Sequence, residues 1–168
     1  MRYCSSFYRY RRRPTREVFV GDPTRGGVAI GGDHPIVKQS MITCNTMDTD
    51  ACVRESLELA EAGSRLIRIT APTVKDAANL KGIVARLRQT GCLVPVVADI
   101  HFKPEAALEA AKWVEKVRVN PGNYADRKKF AVREYTDEEY AAELQRVEEQ
   151  LTPLVLLCRD LSRAMRIG

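Results

Sequence analysis

No stretch of the 168-residue chain approaches the roughly 18 consecutive apolar residues that a membrane-spanning helix needs, so no membrane partner is expected. No apolar segment follows the basic residues Arg9, Arg11, Arg12 and Arg13, so no secretory signal peptide is expected. Any C-x-x-C pair is missing too. Cys4, Cys44, Cys52, Cys92 and Cys158 are odd in number and scattered, so no zinc ribbon or iron–sulfur ligand set is read and no metal site is assigned. The five read as ordinary reduced thiols of an intracellular, cytoplasmic protein. Charge of one sign is not in large excess: Lys and Arg number 27 against 22 Asp and Glu, for a net +5. That is a mild bias towards anionic partners and not a nucleic-acid signature. With 45% hydrophobic and 29% charged residues, the chain is ordinary globular material of a length that suits one domain.

Residues 1–16 form a basic arm without periodicity. Its Tyr8 and Tyr10 could stack on RNA, but a solvated terminus is the simpler reading, and no nucleic-acid partner is expected. Val18–Val20 and Val28–Ile30, joined by a Gly/Pro-rich loop, predict a β-hairpin. The glycines between Gly21 and Gly32 lack the strand–loop–helix context of a phosphate loop. Strand and helix then alternate. Strands are expected over 36–41, 66–70, 94–100, 116–120 and 164–168, the first three starting about 30 residues apart, the size of a βαβ unit. Asp48 or Thr49 caps a helix that Gly63 ends. Pro72-Thr73 opens a second that stops before Gly91, and Pro104 opens a third to about 114. Pro121-Gly122-Asn123 reads as a turn. The capping box from Thr136 to Glu139 opens a last helix that Pro153 should kink or divide.

The fold class is therefore α/β, with a parallel sheet covered by helices. A five-stranded doubly wound sheet would be complete at this length. A (β/α) barrel of TIM type, which needs roughly 200 residues or more, would be present only as its first four to five βα units, after the hairpin. A strand at the last residue with no helix to cover it favours the barrel piece, spanning residues 17–168.

Three strands carry one pattern: Ile67-Arg68-Ile69, Val117-Arg118-Val119 and Met165-Arg166-Ile167. A strand of a parallel sheet normally reads apolar throughout, and a lone Arg there needs an anionic partner. With a period of two, the apolar neighbours face the helices and the Arg faces the other way. The same parity places Thr70 with Arg68, Asn120 with Arg118, and His101 with Asp99. Three guanidiniums facing one carboxylate suit a diphosphate. The bland alternative is a buried ion pair of Arg68 or Arg118 with Asp99. Asp99 and His101 read as positioning groups rather than metal ligands. No catalytic residue is assigned.

Gln39-Ser40-Met41, Thr46-Met47-Asp48-Thr49, Arg68-Ile69-Thr70-Ala71-Pro72, Val97-Ala98-Asp99-Ile100-His101-Phe102, Arg118-Val119-Asn120-Pro121-Gly122-Asn123 and Met165-Arg166-Ile167-Gly168 resemble, in order and spacing, the N-terminal barrel of the hydroxymethylbutenyl diphosphate synthase family. The stretches from Tyr135 to Tyr140 and from Leu151 to Val155 resemble its longer form, found in plants and some bacteria. Ile42 and Cys44 stand where that family usually has Thr. The resemblance implies an iron–sulfur oxidoreductase of isoprenoid precursor biosynthesis that reductively opens methylerythritol cyclodiphosphate. It implies Arg68, Arg118 and Arg166 as diphosphate ligands, with Asp99, Asn120 and His101 as further substrate contacts. It implies a [4Fe–4S] cluster held by residues outside this chain, a homodimer, and ferredoxin or flavodoxin as electron donor. The compartment would be the cytoplasm, or the plastid stroma in a plant or alga. On this reading the chain is an N-terminal fragment, inactive alone. The alternatives are a non-catalytic anion-binding fragment and a phosphate-binding barrel enzyme of pterin-synthase type.

Overall fold

The computed structural model describes residues 14–125 and 135–168. Most of the basic arm, with Tyr8, Tyr10 and Cys4, lies outside the described residues. The expected hairpin is present: β1 (Val18–Val20) and β2 (Val28–Ile30) pair antiparallel, Val18 opposite Ile30 and Val20 opposite Val28. Between them Asp22 caps a single 3₁₀ turn, Pro23–Arg25, its carboxylate accepting from the Thr24 amide at 2.8 Å and the Thr24 hydroxyl at 2.7 Å. A Cβ at Gly27 would lie 2.6 Å from the Asp22 carbonyl, so only glycine allows a loop this tight.

The remaining elements alternate: β3 (Gln39–Met41), α1 (Thr49–Glu61), β4 (Leu66–Thr70), α2 (Val74–Gln89), β5 (Val96–Ile100), α3 (Pro104–Ala111), β6 (Lys116–Val119), α4 (Pro121–Ala125), α5 (Asp137–Asp160) and β7 (Ala164–Ile167). Asp48 caps α1, accepting from the Ala51 amide at 2.9 Å. Thr73 with Asp76, and Thr136 with Glu139, form reciprocal capping boxes on α2 and α5. Gly63 and Gly91 follow α1 and α2 with φ of 92° and 82°, the left-handed region expected just past a helix end.

Several details depart from expectation. α3 ends at Ala111 rather than about 114, and β6 and β7 each end one residue earlier than expected. β3 starts at Gln39 rather than Ile36, which is 91% exposed and pairs with nothing in the sheet. β5 starts after Pro95, which has no amide to give to a ladder. Pro121-Gly122-Asn123 is not a free turn but the opening of α4. Proline suits the first helical position, and the Asn120 carbonyl accepts from the Tyr124 amide at 2.8 Å. Pro153 does not divide α5, which runs unbroken for 24 residues. Leu154 and Cys158, both buried in the main core, anchor the half beyond the proline and offset the lost helical bond.

The five strands are all parallel and stand in chain order, β3-β4-β5-β6-β7. A doubly wound sheet reverses its strand order at a switch point. Here each strand adds beside the one before it, as in the wall of a barrel. One face carries Ile67, Ile69, Ala98, Ile100, Val117 and Val119, all fully buried in one cluster with residues of α1, α2, α3 and α5. The other face meets the hairpin. Val20 and Val28 pack on Leu66, Val97 and Ala164 near the N-terminal ends of the strands. Among the described residues no helix is long and apolar enough to cross a membrane.

Leu80, fully buried on α2, and Thr73, its cap, separate packing from capping. Leu80→Ala should lower unfolding free energy by about 2–5 kcal/mol. Thr73→Ala should lower it by about 1 kcal/mol, both read from denaturant titration.

Candidate functional site

The sheet register decides which side chains meet on the inner face. Thr70 stands opposite Asp99, Asp99 opposite Arg118, and Arg118 opposite Arg166, forming one row across β4 to β7. A row nearer the hairpin, Met41, Arg68, Val97, Lys116 and Ala164 are in register. The parity argument thus places all three arginines on one face.

Asp99 is the hub. Its side chain is only 2% exposed, and both oxygens are engaged. Oδ2 accepts from Arg68 Nη2 at 2.5 Å and lies 3.0 Å from His101 Nε2, while Oδ1 accepts from Arg118 Nη1 at 3.1 Å. A carboxylate this deep is stable only because two guanidiniums and an imidazole replace its water. The ion pairing with Asp99 therefore includes Arg68 and Arg118 together. Arg68 keeps one Nε–H buried without an acceptor. Arg166 differs from both. It is exposed and makes no ion pair with a carboxylate among the described residues. Gly168 lies against the Arg118 guanidinium, which a side chain at 168 would displace. Asn120 is turned to another use: its Oδ1 faces the Asn123 amide at 3.5 Å, at the start of α4.

Lys116 is a cation of this face that sequence reading passed over, although it lies two residues before Arg118 and so shares its parity. It is 8% exposed, with no hydrogen bond or ion pair among the described residues. Burial, helped by the charge of Arg166, pulls its pKa below the ordinary lysine value of 10.5. It lines a cavity of about 430 Å³ at the hairpin end together with Gln39, Leu66 and Arg166. Among the described residues the inner face thus sets Arg68, Arg118, Arg166 and Lys116 against Asp99, an arrangement that attracts anions.

A parallel sheet whose strands stand in chain order, backed on one face by the intervening helices, places the chain in the class of TIM-type β/α domains. The chain belongs to the GcpE family, whose TIM-barrel domain model matches residues 15–168. It is 63% identical over 166 residues to the 4-hydroxy-3-methylbut-2-en-1-yl diphosphate synthase (flavodoxin) of Akkermansia muciniphila, covering 99% of this chain and 28% of that protein. Proteins of the same description from Leptospira interrogans and Chlorobaculum tepidum are 52% and 51% identical, each over 99% of this chain and over 24% and 22% of their own lengths. The chain thus spans about a quarter of the length of these curated relatives. The resemblance read from the motif blocks is borne out, and the pterin-synthase alternative is disfavoured.

Two substitutions test the charge arrangement. Asp99→Ala leaves two guanidiniums uncompensated and should reduce unfolding free energy by about 3–5 kcal/mol, measured by denaturant titration. Lys116→Met should raise stability near neutral pH. The folded chain binds the Lys116 proton less tightly than the unfolded chain, so the penalty is full below the folded pKa. It fades as pH rises through that value towards 10.5. Thermal melts of variant and parent should converge at high pH.

Proposed function

We propose that this chain is the substrate-binding part of a hydroxymethylbutenyl diphosphate synthase, forming the first βα units of a TIM-type barrel whose remaining strands lie beyond it. On the inner face of that barrel Arg68, Arg118 and Arg166 hold the diphosphate of methylerythritol cyclodiphosphate. Asp99 keeps the first two guanidiniums in place, and His101 and Asn120 border the site nearer the C-terminal ends of the strands. The observation that carries the reading is the excess of guanidinium over carboxylate in one row of the inner face. Arg68 and Arg118 are already oriented by Asp99, so they meet a phosphate with little reorganisation, and their planar donors match its oxygens in pairs. Among the described residues Arg166 pairs with no carboxylate that it would have to give up.

The full-length enzyme would open the cyclodiphosphate ring by two-electron reduction, releasing water. A [4Fe–4S] cluster supplies those electrons when bound. The described residues do not fit it: no group of three or more His, Cys, Asp or Glu side chains could hold a metal ion there. In this reading the cluster ligands would come from another part of the polypeptide. Flavodoxin, printed in the relatives' names, is the electron donor in this reading. A homodimer and a cytoplasmic location complete it.

Arg166→Met in the full-length protein should weaken binding of the cyclodiphosphate by about 10–100-fold in calorimetry, the worth of one charge-assisted contact. Its melting temperature should hardly change, because no ion pair is broken. Arg68→Met should lose both affinity and stability. Unchanged affinity in Arg166→Met would overturn the proposal, and lost stability with retained affinity in Arg68→Met would reduce that residue to an ion-pair partner.

A further inference from the structure

The loop after β3 carries a feature that anion binding does not use. Cys44 lies three residues beyond Met41, the last residue of β3, and Cys52 is the fourth residue of α1. The loop folds back through the Asp48 amide, which donates to the Asn45 carbonyl at 2.9 Å. Glu55, one turn further along α1, clamps it. Its Oε1 accepts from the Thr43 amide at 2.9 Å and the Thr43 hydroxyl at 3.0 Å, and its Oε2 accepts from the Cys44 amide at 3.1 Å. These bonds set the Cys44 side chain over the first turn of the helix, with its Sγ 3.5 Å from Cys52 Sγ. Cys52 is fully buried and its thiol donates to the Asn45 carbonyl at 3.4 Å, whereas Cys44 is half-buried and within reach of solvent. Cys92 and Cys158 have no thiol at such a distance among the described residues.

We propose that Cys44 and Cys52 form a redox modification site, a dithiol that closes to an intramolecular disulfide across the β3–α1 loop. A disulfide bond is about 2.05 Å long, so the two sulfurs need approach by only about 1.5 Å, within the reach of small side-chain rotations. Glutathione disulfide is the oxidant class that fits one half-buried and one fully buried thiol. The Cys44 thiolate attacks one sulfur of glutathione disulfide and releases one glutathione. Cys52 then attacks Cys44 Sγ, and its proton leaves with the second glutathione. Two thiols are oxidised to one disulfide, and the two electrons reduce one glutathione disulfide to two glutathione thiols.

Proximity rather than acidity selects this pair. Burial, then the hydrogen bond with Glu55, pushes the Cys44 thiol up to about 12, and burial raises Cys52 as well. The site is therefore slow at neutral pH. Once formed, the disulfide would tie the first turn of α1 to a loop already docked on the sheet. In that loop the Thr46 hydroxyl donates to the Thr70 carbonyl at 2.6 Å, and Asn79 Nδ2 donates to the Thr46 carbonyl at 2.8 Å.

The test treats the full chain with glutathione disulfide across pH 7 to 9 and reads intact mass, peptide maps and rate. The expected product is a monomer lighter by about 2 Da, with Cys44 and Cys52 in one crosslinked peptide, reversed by dithiothreitol. Its rate should climb about tenfold per pH unit without levelling near the ordinary thiol range. Cys52→Ala should stop at a stable glutathione adduct on Cys44. Cys44→Ser, at the half-buried position where packing changes least, should leave Cys52 unmodified. A crosslink through Cys4, Cys92 or Cys158 would overturn the proposal. So would an adduct on Cys44 of the parent chain that never resolves, or no reaction at pH 9.

Discussion

A single carboxylate organises the inner face of the sheet. Asp99 sits on the middle strand with almost no contact with water, and its two oxygens reach β4 on one side and β6 on the other. Isolated burial of such a charge is prohibitive, and the pairing makes it tolerable only while both arginines and His101 keep their geometry. The requirement runs both ways. The guanidiniums are held against the sheet instead of extending freely, so their outer N–H groups have fixed directions. The helix layer supplies the rigid backing: the residues flanking each arginine, Ile67 and Ile69 on β4 and Val117 and Val119 on β6, are fully buried against it.

The two ends of the inner face differ in kind. Towards the hairpin the face is closed by aliphatic contacts between Val20, Val28, Leu66 and Ala164. At the other end stand Arg118, Thr70 and His101, while Arg166 reaches back to the cavity beside Lys116. Lys116 lies between these regimes, charged by chemistry but seated close to the apolar end, which is why its proton is held weakly.

Much of this was legible in the residues. A lone arginine between two apolar residues, repeated on three strands, has one sterically sensible orientation, and the registers agree with it. Capping residues and terminal glycines marked α1, α2 and α5 because their signals are local. What stayed hidden depends on register or on tertiary packing. Which arginines reach Asp99 follows from the stagger between neighbouring strands, absent from any one strand's sequence. Pro153 breaks a local rule that burial of Leu154 and Cys158 overrides. Cys44 and Cys52 look scattered until Glu55 folds their loop onto the helix.

The sequential order of the strands has a consequence for how the chain acquires its shape. Each strand from β4 onward finds its pairing partner already present upstream, and no strand waits for a later one to be inserted between it and its neighbour. Assembly can therefore follow the direction of synthesis, one βα unit docking on the last as it emerges. The Asp99 hub closes only when β6 arrives with Arg118. Until then the buried carboxylate has a single guanidinium from β4. Completion of β6 is thus the step at which the Asp99 carboxylate gains its second guanidinium.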